Sequence, residues 1–141
     1  MREIRLFKPD IMVTTNPEHM IIRFAKDQNW GNHRDHRNTA RAALDAAYPY
    51  SRDISFFPEQ FKQKGVSSHM VTEFLLCDYY DHPDVVCIDV TDTVQTRIRA
   101  HAAHSSQYSL ADARDSADFF TQKPFPGSRR RYERFRYVIT D

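Results

Sequence analysis

Asn32-His33-Arg34-Asp35-His36-Arg37-Asn38-Thr39-Ala40-Arg41-Ala42-Ala43-Leu44-Asp45-Ala46-Ala47-Tyr48-Pro49 sets two imidazoles and a carboxylate at the start of an Ala-rich helix. Ala40, Ala43, Leu44 and Ala47 follow the i, i+3, i+4, i+7 spacing of one buried helical stripe. Asp35 is read as the N-cap, and Pro49 as the stop. His33 and His36, three residues apart, then share one face at the mouth of the helix, and imidazole is a common zinc ligand. Asp35 is placed to orient one ring through its second nitrogen. A His-x-x-His pair by itself is equally consistent with two exposed histidines at a helix start.

Upstream, Met1 to Lys8 reads as the last turns of a helix stopped by Pro9, and Ile11 to Thr15 as a short buried strand. That opening leads to the expectation that a segment N-terminal to Met1 belongs to the same fold. Asn16 to Gly31 has no clear period and contains the turn signals Asn16-Pro17, Gln28-Asn29 and Gly31-Asn32, so it reads as a long surface loop.

Downstream, Ser51 to Gly65 reads as a loop with a helical turn at Pro58 to Lys62. Val71 to Leu76 and Val85 to Val90 read as strands, joined by the turn Asp81-His82-Pro83-Asp84. Thr91 is placed to cap a helix with the stripe Val94, Ile98 and Ala102, reaching about His104. A second helical stripe is Leu110, Ala113, Ala117 and Phe120. Arg134 to Thr140 fits either strand or helix. Strands alternating with helices predict an α/β layered, Rossmann-like fold with a mostly parallel sheet, formed as a single domain over residues 1–141.

The 141 residues are 40% hydrophobic and 28% charged, with ten Phe and seven Tyr, which is the composition of a folded globule. The net charge of +1 gives no global attraction to nucleic acid or to a membrane surface. No apolar run is long enough for a membrane span, and Met1-Arg2-Glu3-Ile4-Arg5 lacks the apolar core of a signal peptide, so a cytoplasmic location is expected. Cys77 and Cys87 sit in apolar stretches without a Cys-x-x-Cys spacing and read as buried reduced thiols. Three Gly leave no phosphate-cradling loop, and no Gly-x-Ser-x-Gly elbow occurs.

Three segments together carry a family resemblance. They are the His33-Arg34-Asp35-His36 helix, Asp89-Val90-Thr91-Asp92-Thr93, and His104-Ser105-Ser106-Gln107. Phe57-Pro58-Glu59 and His69-Met70-Val71 fit between them, and Tyr132-Glu133-Arg134-Phe135-Arg136 extends the match weakly. In order and spacing this resembles the LmbE-like, or PIG-L, family of zinc-dependent N-acetylglucosaminyl deacetylases. The resemblance implies a Rossmann-like sheet with a metal site at the carboxyl ends of its strands. It implies His36 as the third zinc ligand, His33 as the oxyanion stabiliser with Asp35 as its partner, and His104 as a substrate-binding residue. The substrate class it implies is the N-acetyl amide of an amino-sugar conjugate.

The chain departs from the family at one decisive point. The other two zinc ligands and the base belong to a His-Pro-Asp-Asp motif, and none precedes Ile11. His82-Pro83-Asp84-Val85 is a decoy, because Val85 cannot ligate a metal. The expectation is a C-terminal, N-terminally truncated part of such a domain with an incomplete zinc site, inactive alone. An N-terminal half or a homo-oligomer would be its partner.

The alternative is a noncatalytic remnant or binding module that uses the Arg-rich tail. There Arg129, Arg130, Arg131, Arg134 and Arg136 interleave with Tyr132 and Phe135. A solvated face is the preferred reading of that tail, which argues against nucleic acid as a partner. His19 and His69 are read as surface residues, and His101 as occupying a position where the family prefers an apolar side chain.

Overall fold

The two segments that read most clearly as strands, Ile11–Thr14 (β1) and Glu73–Leu76 (β4), lie side by side and parallel, with Ile11 opposite Glu73 and Thr14 opposite Leu76. Parallel neighbours need a long crossover. Here it contains the hairpin Ile21–Ala25 (β2) and Gln28–Gly31 (β3), then the helix Arg34–Asp45 (α2). The computed structural model describes residues 1–25, 27–80 and 82–140, so Asp81 of the expected turn lies outside the described residues. The remaining elements are Arg2–Phe7 (α1), Val85–Asp89 (β5), Val94–Ala102 (α3), Leu110–Phe120 (α4) and Tyr132–Ile139 (β6).

The strands form a four-stranded sheet in the order β1, β4, β6, β5. β6 runs antiparallel to β4, with Glu73 opposite Ile139 and Leu76 opposite Arg136. Against β5, Tyr137 N–H donates to Asp84 O at 3.2 Å and Val90 N–H to Arg131 O at 2.8 Å. The partner number falls as the strand number rises, which is antiparallel pairing. The fold is α/β as expected, but the sheet is mixed, with one parallel pair, where a mostly parallel sheet was expected. The difference comes from β6, whose weak alternation left its type open and carried no signal of direction.

Two compact units make up the chain: Met1–Val85 with Phe135–Asp141, and Val86–Arg134. In the first, Ala47, Val71, Phe74, Leu76 and Tyr79 form the core, with Ile4, Met12, Leu44, Val85 and Val138 packed against it. Met12 of β1, Phe74 and Leu76 of β4 and Val138 of β6, all even-numbered, therefore face the same core as Ile4 of α1 and Leu44 of α2. The odd-numbered Ile11 and Val13 are 47% and 59% exposed. β1 is thus an edge strand with one open face, not the buried strand expected.

Three further expectations are corrected. Asn16 to Gly31 is loop only as far as Met20, since β2 and β3 beyond it pair antiparallel with Ile22 opposite Trp30. The N-cap of α2 is His33, whose ring accepts from Asp35 N–H, so Asp35 is the capped residue and not the cap. Cys87 is exposed and Cys77 half-buried, and neither forms a disulfide among the described residues.

α2 ends where the sequence says it must. Pro49 disfavours helical geometry in the residue before it, and Tyr48 is extended at φ −153°, ψ 129°. The 3₁₀ turn at Pro58–Lys62 is where it was read.

In the second unit, α3 and α4 pack through Val94, Ile98, Ala113 and Ala117. The two alanines are essentially fully buried, which lets the helices approach closely. α4 opens with a reciprocal cap: Asp112 N–H donates to Ser109 Oγ at 3.2 Å, and Ser109 N–H to Asp112 Oδ2 at 2.8 Å. Among the described residues no helix is long and apolar enough to cross a membrane.

Candidate functional site at the mouth of α2

β3 runs through Asn32 directly into the first turn of α2. Asn32 is 3% exposed. Its Nδ2 donates to Asn16 O at 3.0 Å and His19 O at 2.9 Å, and its N–H to Met20 O at 2.8 Å. Arg37 in turn donates to the Asn32 carbonyl. The hairpin base and the helix mouth are therefore one hydrogen-bonded assembly. Asn32 Oδ1, however, is buried with no hydrogen-bond partner among the described residues. Such an acceptor costs about 1–3 kcal/mol, and native structures keep few of them.

On this base stand His33 and His36, both exposed, with ring centroids 5.8 Å apart. Asp35 N–H donates to His33 Nδ1 at 3.2 Å. Because Nδ1 accepts, the neutral ring carries its proton on Nε2, which leaves an outward N–H donor. The Asp35 carboxylate lies 3.7 Å from the same Nδ1 and contributes only its charge. Thr15, just past the end of β1, donates through Oγ1 to His36 O at 2.8 Å, so the carboxyl end of that strand is tied to the first turn of α2.

Asp78, two residues beyond β4, is a site residue that the sequence reading missed. Its backbone has φ 69°, a left-handed geometry that Asp tolerates better than most residues. Burial raises its carboxyl above the ordinary 3.8, and the charge of His36 draws it back down. A carboxylate at the carboxyl end of a strand in an α/β sheet is where ligands collect, and that was the available signal.

A zinc ion needs three protein donors and an open position. Among the described residues no three His, Cys, Asp or Glu side chains are grouped to hold a metal.

His104 belongs to the second unit, where its backbone closes the turn after α3 and its ring is exposed. The neighbouring His101 ring packs on Tyr108 at 4.3 Å. His82 of the decoy motif accepts from Asp84 N–H at 3.2 Å and meets the Tyr79 ring edge-on at 5.5 Å. His69 is half-buried, not a surface residue, with Nε2 2.8 Å from Pro9 O. His19 is exposed, 5.1 Å from the Tyr79 ring.

The arginine tail is largely engaged. Arg131 pairs with Asp118 and donates to Thr121 O at 3.0 Å. Arg136 lies 3.6 Å from Glu18 and 3.7 Å from Asp84, with its guanidinium over the Tyr79 ring. A cavity of about 390 Å³ in the first unit is lined by Leu44, Tyr48, Met70, Phe74 and Val138. Leu44 is about 12 Å along the helix axis from His36, at ~1.5 Å per residue, so this cavity is not at the histidines.

No protein-family model matches this chain, and no curated protein matches it.

Proposed function

We propose that these residues correspond to the C-terminal part of an LmbE-like, zinc-dependent N-deacetylase domain with a Rossmann-like layered architecture. Its part in the chemistry is one face of the site: His36 as a single zinc ligand and His33 as the oxyanion-side donor. The remaining ligands and the general base come from a segment bearing a His-Pro-Asp-Asp motif that these residues do not contain.

The observation that carries this reading is the His33 cap. An acetamide carbonyl under attack by water develops negative charge on oxygen, and a fixed N–H aimed at that charge lowers the barrier. By accepting Asp35 N–H on Nδ1, His33 presents Nε2–H to the outside in one tautomer, which is what that role requires. The engagement of Arg131 and Arg136 by carboxylates weighs against the alternative in which the arginine tail is a binding surface.

The test combines the chain with the N-terminal half of an LmbE-like enzyme and measures acetate released from an N-acetylglucosaminide. Acetate is expected only from the combination, and His33→Phe in the combination removes it. No acetate from the pair, with both parts folded, overturns the proposal.

A further inference from the structure

We propose that the open cavity at the C-terminal end of α2 binds a small amphiphilic amine, with an aromatic or alkyl body inside it and a protonated amino group on Asp45. The site is independent of the deacetylase reading, because it lies at the opposite end of α2 from His33 and His36.

Every residue lining the cavity belongs to the first unit. Its volume of about 390 Å³ is that of a small-molecule site. Phe74 of β4, Val138 of β6 and Met70 supply apolar walls, and Phe74 is itself part of the core at 6% exposure. Protein interiors leave few voids larger than a water molecule, and side chains that face one forgo dispersion contacts on that side. An apolar ligand body restores those contacts and removes the walls from water.

Charge at the mouth selects the head group. Asp45 is the last residue of α2, so its carboxylate stands at the negative pole of the helix, and the last turn contains no basic residue. It is exposed and has no side-chain hydrogen bond or ion pair among the described residues. The neighbouring cations are already matched. Arg136, which also lines the cavity, lies 3.6 Å from Glu18 and 3.7 Å from Asp84. Arg52 holds its guanidinium over the ring of Tyr48, another lining residue, at 4.6 Å, and its charge interacts with Asp53. One guanidinium between two carboxylates leaves no positive surplus for an anionic ligand, whereas Asp45 and the helix end leave a negative one. A cationic head is complementary to that field, and a carboxylate is repelled by it.

The experiment titrates the full chain, with isotope-labelled methyl groups, near neutral pH and follows the Met70 and Val138 methyl resonances by NMR. The probe is phenethylamine, with phenethyl alcohol and phenylacetate as its neutral and anionic counterparts. Saturable shifts with the amine are expected, with a midpoint on the order of a millimolar. The alcohol is expected to bind about fivefold more weakly, and Asp45→Asn to weaken the amine by about the same factor while leaving the alcohol unchanged. Phenylacetate is expected to give no saturable shift. Asp45 is exposed, so the substitution keeps the fold, and an unchanged circular dichroism spectrum checks this. If that variant does not fold, the comparison of amine with alcohol on the unaltered chain decides. No saturable methyl shift with the amine overturns the proposal. Equal binding of amine and alcohol, or of the amine by Asp45→Asn, also overturns it by removing the role of charge. Tighter binding of phenylacetate than of the amine makes Arg136 the anchor and refutes it as well. Methyl shifts that grow with protein concentration alone assign the cavity to a second copy of the chain, against the proposal.

Discussion

Arg5 donates through its guanidinium to the carbonyl oxygen of Tyr50 at 2.6 Å, although Arg5 is completely buried. The donor atom, Nη2, also shares its two N–H groups with the carbonyls of Asp53 at 2.8 Å and Phe56 at 2.9 Å, while Nε–H donates to Ser51 O at 3.2 Å and Nη1 to Gln60 Oε1 at 3.1 Å. The Phe61 ring closes the cage 4.4 Å from the guanidinium carbon. A buried cation is normally matched by a carboxylate, and here carbonyl dipoles do that work. Arg5 thereby fastens α1 to the connection between α2 and β4.

The first prediction follows from that cage. Arg5→Met strands several buried carbonyls at once, and even partial rearrangement leaves a loss of about 3 kcal/mol or more. Arg5→Lys does not restore it, because an ammonium cannot reach acceptors spread over a planar fork. Urea unfolding followed by circular dichroism checks both, and a midpoint within error of the unaltered chain for Arg5→Lys refutes the cage argument.

Alkaline pH is expected to weaken the first unit through Tyr79. Burial, then the hydrogen bond to Glu18, pushes the Tyr79 phenol up to about 12 from 10.0. A phenol that holds its proton more tightly when folded contributes stability that is complete below pH 10 and lost as pH rises toward about 12. Tyr79→Phe removes this term and flattens the fall in stability across that window. Thermal midpoints of both chains at intervals between pH 9 and ~12 test the sign.

The Ser109–Asp112 cap gives an acidic counterpart in the second unit. The hydrogen bonds from the Ser109 hydroxyl and N–H hold the Asp112 carboxyl below the ordinary 3.8. Its contribution is present above that value and lost as pH falls through the lower, folded one. Ser109→Ala is expected to cost about 1 kcal/mol at neutral pH, and amide hydrogen exchange in the first turn of α4 reports the loss locally.

The open edge of β1 predicts self-association. Ile11 and Val13 leave an apolar, uncharged strand edge of the kind that pairs with other chains. Light scattering of the unaltered chain is expected to show concentration-dependent growth in mass, and Val13→Lys to suppress it without lowering the unfolding midpoint. A mass equal to the monomer for the unaltered chain at every concentration would refute this.

Much of this architecture is legible in the residues, and the failures have identifiable causes. The Ala40–Ala47 stripe, the Leu110–Phe120 stripe and the apolar runs of β4 and β5 carry strong periods, and they form where those periods put them. The β2–β3 hairpin escaped because Ile21–Ala25 and Gln28–Gly31 are short, only partly apolar and not joined by a strong two-residue turn pair. Arg5 escaped because a single arginine on a six-residue helix reads as solvated, and only the distant Tyr50–Gln60 carbonyls reveal otherwise. At the site, the spacing of His33 and His36 was plain, but the tautomer depends on Asp35 N–H, a backbone group that no side-chain motif displays. Asp78 lacked any periodic marker at all.

In the proposed function His36 is one ligand of a zinc site completed from outside these residues. Zinc measured by atomic emission after gel filtration tests it most directly, using the chain mixed with an N-terminal half that carries a His-Pro-Asp-Asp motif, with and without His36→Ala. His36 is exposed, so the substitution leaves the fold intact. Zinc is expected in the unaltered pair, and none in the His36→Ala pair or in the chain by itself. Equal zinc in both pairs, or none in either, would contradict it.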